Sequence, residues 1–269
     1  MKVILSRKGF DSKNGGRPSP ILPDGTLLSL PIPSADGRMY SELSYGAETY
    51  KDIIEQLGGK CGNGACHLDP DIWQGVFEAP DEWKPAFGQW GTPQKVLENQ
   101  GVGVGDLFLF FGRFRQTERD SNGKLKYTPK TPDLHIIYGY LQVGAVVMDK
   151  AEIQQYDWHP HAGLDGDNNT LYIPRKKLSW NENIQGCGVF SFDKRLVLTT
   201  EGMTSSCWQL PKLPAFSGED KPKISGSHKE PWRIDPAHGE YYRAMDIGQE
   251  FVIEERPAVE EWAKSLINA

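Results

Sequence analysis

Gly105-Asp106-Leu107-Phe108-Leu109-Phe110-Phe111-Gly112 is the stretch of sequence that decides the fold of this chain. Its centre is a continuous run of aromatic and aliphatic residues bounded by glycines, which is typical of a strand buried on both faces. A longer run of the same character occupies residues 134–147 and contains several β-branched and aromatic residues. Two such runs in succession predict the centre of a β-sheet.

Shorter elements flank this centre. The apolar run Val3-Ile4-Leu5 predicts a first strand, and further strands are predicted at residues 170–173, 195–199 and 251–254. Apolar residues at helical spacing, with glycine or proline at the ends, predict helices over residues 47–57 and 92–101 and from Pro257 onward. Residues 115–132 are rich in charge and predict a loop. We expect an α+β fold, a mixed, partly barrel-like β-sheet core flanked by short helices, in a single domain over residues 1–269.

Composition excludes several classes of protein. The chain has 269 residues and a formal net charge of −6, which argues against a protein that coats nucleic acid without specificity, because that role needs a basic surface. The first apolar run is far too short for a secretory signal, and we expect a cytoplasmic protein without a membrane partner. In such a compartment the four cysteines are expected to be free thiols.

A polar loop follows the first strand. Between Arg7 and Pro20 it combines glycines with charged and hydroxyl side chains, among them Asp11 and Ser12. Glycine lets a backbone approach a ligand closely, so the loop is a candidate binding site. A turn at Asp24-Gly25 and a return strand over residues 26–30 are expected next, which would bring Asp24 toward Asp11. The alternative is an ordinary hairpin whose long polar loop is merely solvated.

The segment from Cys61 to Asp71 gathers thiols, an imidazole and carboxylates. The spacing of Cys61 and Cys66 does not match that of a structural zinc site, and we expect no zinc on the four cysteines. Alternate positions in an extended loop would put His67, Asp69 and Asp71 on one side, where they could bind a divalent cation or supply a general acid and base. Alternatively, the two carboxylates simply cap a turn.

A second group of imidazoles lies at His159-Pro160-His161, followed by Asn168 and Asn169. The intervening proline favours an extended geometry that could project both histidines to the same side. These side chains are suited to proton transfer or to hydrogen bonds with a base or sugar, although backbone carbonyls could equally satisfy them. The chain also has eight tryptophans, which could stack on nucleobases or pack at the edge of the core.

Taken together, these segments resemble the third type of nucleotide modification associated domain, a family of bacterial and phage proteins. The resemblance rests on residues 3–25, 67–71, 87–89, 105–112, 159–161, 168–172, 205–211 and 248–252. It implies a role associated with nucleotide or DNA base modification and brings no assigned reaction. Two positions depart from the pattern, because Arg113 stands where an aromatic residue is expected and Gln209 where an arginine is expected. A short likeness of the two central strands to base-reading barrels also favours a partly closed sheet.

We therefore expect the protein to bind or chemically process a nucleotide or nucleobase in a polar pocket. In this hypothesis Arg7 binds a phosphate or polarises a leaving group, and Asp11, oriented by Ser12, acts as base or nucleophile. His67 with Asp69 and Asp71, or His159 with His161, handles protons or a metal. The candidate catalytic residues are Arg7, Asp11, Ser12, His67, Asp69, His159 and His161, and the candidate substrate-binding residues are Ser19, Asp24, Gln89, Asn168, Asn169 and Trp208.

The sequence assigns neither a cofactor nor a metal ligand, and it leaves the oligomeric state open. Nucleotide or nucleic acid is the expected partner. The alternative is a noncatalytic reader of a modified base in DNA or RNA, in which the same loops form a pocket and tryptophans stack on an extruded base. We also expect the loops that carry His67 and His159 to border one pocket together with Arg7 and Asp11.

Overall fold

The computed structural model describes residues 1–245 and 249–268, apart from the side chain of Asp36. Gly248, which is part of the last family motif, lies outside the described residues. The strands are β1 (Val3–Arg7), β2 (Ser19–Ile21), β3 (Ile32–Met39), β4 (Ser44–Tyr45), β5 (Glu48–Thr49), β6 (Ala65–His67), β7 (Phe87–Gln89), β8 (Leu107–Arg119), β9 (Leu125–Tyr127), β10 (Leu134–Val147), β11 (Thr170–Pro174), β12 (Lys177–Leu178), β13 (Asn181–Gln185), β14 (Cys187–Val189), β15 (Cys207–Trp208), β16 (Trp232–Asp235), β17 (Gly239–Arg243) and β18 (Glu250–Ile253). The α-helices are α1 (Tyr50–Gln56), α2 (Gly91–Asn99), α3 (Lys150–Ile153) and α4 (Pro257–Ile267), and 3-10 turns occur at Pro160–Gly163, Lys194–Leu196, Leu210–Lys212 and Pro214–Phe216.

A mixed sheet with the strand order β18-β1-β8-β10-β11-β7 forms the centre of the fold. Strands β1 and β2 both run parallel to β8, whereas β10 pairs with β8 in the antiparallel sense. β18 completes one end of the order beside β1, and β7 completes the other beside β11. The polar loop predicted after the first strand is therefore the excursion that separates β1 from β2.

The two ends of this strand order meet. Gln89 in β7 donates a hydrogen bond from Nε2 to Glu250 Oε1 in β18 at 2.6 Å. The sheet therefore curls upon itself as a half-barrel, and the α+β class with a partly closed sheet is confirmed. The curl brings residues from both ends of the chain to one place.

Aromatic packing explains why the sheet curls tightly. The ring of Phe87 lies 4.9 Å from that of Phe108, 5.1 Å from that of Phe110 and 5.7 Å from that of Tyr172, measured between centroids. All four side chains are buried. Each buried aromatic side chain contributes about 1.5–3 kcal/mol of hydrophobic free energy, so β7 is held firmly over the inner face of β8.

The predicted helices are confirmed, with small changes in their ends. The side chain of Thr49 caps α1 by accepting a hydrogen bond from the amide of Asp52. In return, the side chain of Asp52 accepts a hydrogen bond from the amide of Thr49. α2 starts at Gly91, near the predicted Thr92-Pro93 start. α4 begins at Pro257 and buries Val259 on its inner face, as its spacing predicts. None of the helices in the described part of the chain has the length and apolar character needed to cross a bilayer.

Three predicted elements were wrong. Residues 115–132 are not a plain loop, because β8 continues to Arg119 and turns back into β9, with buried side chains alternating with polar ones. Residues 26–30 form only isolated bridges rather than a strand, and Ser19 Oγ accepts the amide of Leu30 there. At 195–199 the carboxylate of Asp193 accepts the amide of Arg195 and favours a 3-10 turn over a strand.

Candidate functional site

A buried carboxylate at the edge of β7 anchors the candidate site. Asp71 and Ala86 exchange two backbone hydrogen bonds of 2.9 Å, so the chain at Asp71 runs antiparallel to the start of β7. Two residues away, the amide of Gly88 donates to Asp69 Oδ1 at 2.7 Å. The side chain of Asp69 thus occupies a position where a backbone carbonyl would continue the ladder, and this fixes the orientation of its carboxylate.

His161 packs directly against β7. A Cβ atom on Gly88 would lie 2.3 Å from the imidazole of His161, so only glycine allows this approach. Asn169 orients the ring, because its Nδ2 donates to the carbonyl of His161 at 2.8 Å while its Oδ1 lies 2.6 Å from His161 Nδ1. The amide oxygen can only accept, so Nδ1 carries the proton in the arrangement that this network assigns. Nε2 is then the imidazole nitrogen with a lone pair.

Two further imidazoles complete the group. The ring centroid of His67 lies 5.2 Å from that of His161, and one donor atom each from His67, Asp69 and His161 lie within 4.8 Å of one another. His159 Nε2 lies 3.4 Å from Asp69 Oδ1, and His159 Nδ1 accepts the amide of His161 at 3.2 Å. We call His67, Asp69, His159 and His161 the histidine–aspartate cluster.

Lys8 lies beside this cluster at the end of β1. Its side chain is 9% exposed, and its Nζ lies 3.8 Å from Asp69 Oδ2 and 3.5 Å from Glu250 Oε1. The ammonium also lies 4.2 Å from the ring centroid of Phe87, a cation–π distance. One buried ammonium therefore faces two carboxylates.

Glu250 is tied down by several donors. Its Oε1 accepts from Ser6 Oγ at 2.9 Å and from Gln89 Nε2 at 2.6 Å. Burial raises the pKa of Glu250, although Lys8 and the hydrogen-bond donors oppose that effect. The residue links the sheet closure to the charged interior of the site.

The electrostatics of the cluster favour an ionised aspartate beside a neutral histidine. Burial alone raises the pKa of Asp69, but attraction to His159 and to Lys8 outweighs burial and holds that pKa well below its usual range. Burial lowers the pKa of His161 to about 3, so its imidazole is neutral at physiological pH. The cluster thus combines an anionic acceptor with a neutral nitrogen base.

Asp71 takes a different position from its two predicted companions. Its Oδ2 accepts from Trp83 Nε1 at 2.8 Å, and burial raises its pKa to about 6. With Asp69, it lines a small cavity of about 40 Å³, walled on one side by residues 68–73. That space has room for an ion or one or two waters but not for a nucleobase.

An exposed indole follows β7, the strand against which His161 packs. Trp90 follows β7 and is 49% exposed. Its backbone is extended, so its side chain points to the same side as that of position 88, the side on which His161 lies. Trp90 therefore offers a flat apolar surface at the approach to the cluster.

The structure places Arg7 on the other face of β1 from Lys8. Its Nη2 donates to the carbonyl of Met245 at 2.6 Å, and its guanidinium lies 5.7 Å from the ring centroid of Phe111. Because side chains alternate along a strand, Ser6 and Lys8 point to the Glu250 side and Arg7 points away from it.

The carboxylate of Asp11 belongs to its own turn. It accepts the amides of Lys13 and Asn14 at 2.7 Å each, and the Asn14 side chain at 3.0 Å. Ser12 is exposed in the same turn. The structure thus brings His67 and His159 together around Asp69. The carboxylate oxygens of Asp11, in contrast, accept hydrogen bonds from neighbouring residues of the same turn.

Two other residues predicted at this loop also have structural partners. Asp24 accepts the amide of Thr26 at 2.9 Å and the hydroxyl of Tyr45 at 2.8 Å. Ser19 is buried and accepts the amide of Leu30 at 3.0 Å. Their observed contacts stabilise turns.

The remaining candidate residues divide between the site and the scaffold. Gln89 donates a hydrogen bond to Glu250, and Asn169 is hydrogen-bonded to His161, so both residues belong to the site. Asn168 instead caps the start of α2, where its Oδ1 accepts the amide of Gly91 at 2.8 Å and its Nδ2 donates to the carbonyl of Gly91 at the same distance.

Trp208 is fully buried in the core. Its Nε1 donates to His135 Nδ1 at 3.0 Å, and its ring stacks on Tyr242 with centroids 5.5 Å apart. In this structure its indole is enclosed by protein side chains.

The two departures from the family pattern have local roles, since Arg113 Nε donates to Asp133 at 2.6 Å and Gln209 donates to the carbonyl of Val197 at 2.6 Å.

Sequence reasoning missed Lys8, Gly88 and Glu250. Lys8 lies two residues after Ser6 on one face of β1, and this alternation was an available signal. Gly88 and Glu250 both lie within family motifs, but their importance depends on packing between distant segments.

The cysteines are free, and burial raises the pKa of Cys66 and of Cys187 to about 12.

Comparison with known proteins identifies a family. The model of a family described as nucleotide modification associated domain 3 matches residues 2–254, nearly the whole chain. No curated protein and no solved structure matches the chain significantly.

Proposed function

The chain belongs to the nucleotide modification associated domain 3 family, and on that premise we propose that it chemically processes a nucleotide or nucleobase at the histidine–aspartate cluster. The observation that carries the proposal is that side chains from distant segments meet at Asp69. Two imidazole-bearing segments far apart in the sequence meet at one buried carboxylate, with a lysine and a glutamate beside it. Buried groups of this kind are costly to retain and occur preferentially at functional sites.

The roles follow from hydrogen bonding and charge. His161 offers an unprotonated nitrogen, since Asn169 engages the other one, and this nitrogen is a suitable proton acceptor. Asp69 stays ionised and stabilises positive charge that develops on a neighbouring imidazole. Lys8 supplies a fixed positive charge for an anionic group of the substrate or of the transition state.

The substrate approaches from outside the cavity. The cavity of about 40 Å³ beside Asp69 is lined by none of the three histidines, so a nucleotide would reach them from the surface on the Trp90 side. Trp90 is exposed on the His161 side of β7 and provides a stacking platform for a base. Stacking of this kind contributes about 1–3 kcal/mol per base.

A comparison of two histidine variants tests the proposal. The purified protein is incubated with nucleotides and with DNA carrying normal or modified bases, and products are measured by mass spectrometry. His161→Gln is expected to lose conversion while it binds the nucleotide within a few-fold of the parent. His238→Gln is the matched control, because His238 also pairs with a carboxylate, that of Asp235 at 2.7 Å, on a more exposed part of the protein.

Two outcomes contradict the proposal. Conversion that persists in His161→Gln excludes the cluster as the reacting centre. Binding of a modified base without conversion by the parent, weakened by Trp90→Ala and unaffected by His161→Gln, identifies a noncatalytic reader instead.

A further inference from the structure

We propose that His67, Asp69 and His161 form a binding site for one divalent transition-metal ion, with two imidazoles and one carboxylate as ligands. The inference deepens the proposed function, on which it rests for its biological meaning, by naming the class of cofactor that the same site would take. Metal binding itself is measurable without any nucleotide.

The distances suit a metal after a small adjustment. One donor atom from each of the three residues lies within 4.8 Å of the other two. Metal–ligand bonds of about 2.0–2.2 Å separate neighbouring donors by about 3–4 Å. Bringing the donor atoms closer by up to about 1–2 Å is therefore sufficient.

Two of the ligands are already oriented by a second layer of contacts. Asn169 engages Nδ1 of His161, which leaves Nε2 for a metal. With the metal bound, this nitrogen no longer serves as the proton acceptor, and a water on the metal would take that role. Gly88 engages Oδ1 of Asp69, whereas Oδ2 has Lys8 Nζ at 3.8 Å, beyond hydrogen-bond distance. Metal-binding histidines and carboxylates typically have their other polar atom engaged in this way.

An independent observation points to a ligand at this place. His159 is fully buried, and among the described residues its Nε2 makes no well-directed hydrogen bond, since its contact with Asp69 Oδ1 is an ion-pair contact at 3.4 Å. An unsatisfied buried polar atom is rare in native proteins. A metal-bound water or substrate atom beside Asp69 would satisfy it.

Charge also favours a cation. The described surroundings place one ammonium, that of Lys8, against the carboxylates of Asp69 and Glu250. With both carboxylates ionised, these three groups carry a net charge of −1, so a cation is attracted to this poorly solvated region.

The ligand types narrow the choice of metal. Imidazole with carboxylate suits zinc, iron, cobalt or manganese better than calcium or magnesium, which prefer oxygen ligands. Three protein ligands leave coordination positions for water or substrate.

Titration with Co²⁺ alone tests the site, because its visible absorption reports ligand number and geometry. We expect the chelator-treated full chain to bind one equivalent. Asp69→Asn and His161→Gln are expected to weaken binding at least 100-fold, and Asn169→Ala about 10- to 100-fold. Asp235→Asn is the matched control and should bind like the parent, because it alters the half-buried aspartate–histidine pair of Asp235 and His238.

His67→Asn is the ligand variant expected to stay folded, because His67 is only partly buried and its replacement disturbs the interior least. Circular dichroism verifies that each variant is folded. The absence of saturable Co²⁺ binding at millimolar metal overturns the inference, as does unchanged binding in folded His67→Asn and His161→Gln. If metal does not bind but nucleotide conversion still depends on His161, the proposed function stands and only the metal site is excluded.

Discussion

Asp69 and Asp11 lie in two equally polar stretches of sequence, yet the structure gives their carboxylates opposite surroundings. Asp11 accepts from Lys13 and Asn14, which are its own neighbours along the chain. The side chain of Asp69 is buried and meets groups from the end of β1, from β7 and from the His159 segment. The first carboxylate shapes a turn, whereas the second holds distant segments together.

This difference teaches how to distinguish a polar loop from a candidate site built by distant segments. A carboxylate whose partners lie two or three residues away is the ordinary capping arrangement of a turn. A buried carboxylate with long-range partners carries a desolvation penalty, and removal of one partner leaves an uncompensated charge. Four predictions test whether the two regions differ in this way.

The largest expected effect is that of Lys8→Met. Methionine keeps the apolar contact with Phe87 but removes the charge between Asp69 and Glu250. Breaking a buried ion pair from one side costs about 3–5 kcal/mol of unfolding free energy. Lys13→Met, at an exposed lysine of the Asp11 turn, should stay within about 0.5 kcal/mol. Urea denaturation at pH 8 measures both, and equal losses would remove the distinction between the regions.

Gly88→Ala should have the next largest effect. The added Cβ would overlap the ring of His161, and forced repacking of this kind costs about 1–3 kcal/mol. Gly16→Ala in the polar loop meets no atom within 4 Å but has a φ of +71°, so it is expected to cost about 1–2 kcal/mol of backbone strain. Only Gly88→Ala should shift the NMR signals of the His161 ring. Unchanged signals there would contradict the observed packing.

The third prediction concerns pH and Lys8→Met. Glu250 has a pKa raised by burial, and without Lys8 that pKa rises further. A carboxyl group with a raised pKa in the folded state binds protons more tightly when the protein is folded. The variant therefore gains stability as the pH falls from the pKa of Glu250 in the folded state toward its pKa in the unfolded chain. The loss caused by Lys8→Met should therefore be smaller at pH 5 than at pH 8, changing by at most about 1.4 kcal/mol per pH unit. Urea curves at both values measure it, and a loss that grows on acidification would exclude Glu250 as the responsible group.

Asp11→Asn should have the smallest effect. Asparagine retains an oxygen for the amides of Lys13 and Asn14, so stability is expected to change by about 0.5 kcal/mol or less. Nucleotide conversion and Co²⁺ binding should match those of the parent. A loss of turnover with unchanged affinity would instead place Asp11 in the catalytic machinery, as the sequence alone predicts.

The centre of the fold was predictable because its signals are local. The aromatic run of β8 and the apolar run of β10 have the composition of buried strands, and Pro257 marks the start of α4. The continuation of β8 to Arg119 was missed because charged residues on its solvent side resemble a loop in sequence. Only pairing with β9 distinguishes the two cases.

The candidate site was predictable only in part. His67, Asp69, His159 and His161 were recognisable as chemically capable groups near prolines, and the structure gathers them. Lys8 and Glu250 could not be paired from sequence, because their meeting depends on the curl of the sheet. The burial of Trp208 likewise depends on packing against Tyr242 rather than on any local pattern.

The closure of the sheet by Gln89 and Glu250 has a consequence for the order of events during protein synthesis. Asp69 leaves the ribosome roughly 180 residues before Glu250, which at about 5–20 residues per second corresponds to roughly 10–40 s. During that interval β1 lacks its β18 neighbour and Lys8 lacks one of its two carboxylates. The charged interior is therefore completed only near the end of translation, so that a nascent chain carries the histidine–aspartate cluster before Glu250 can complete its surroundings.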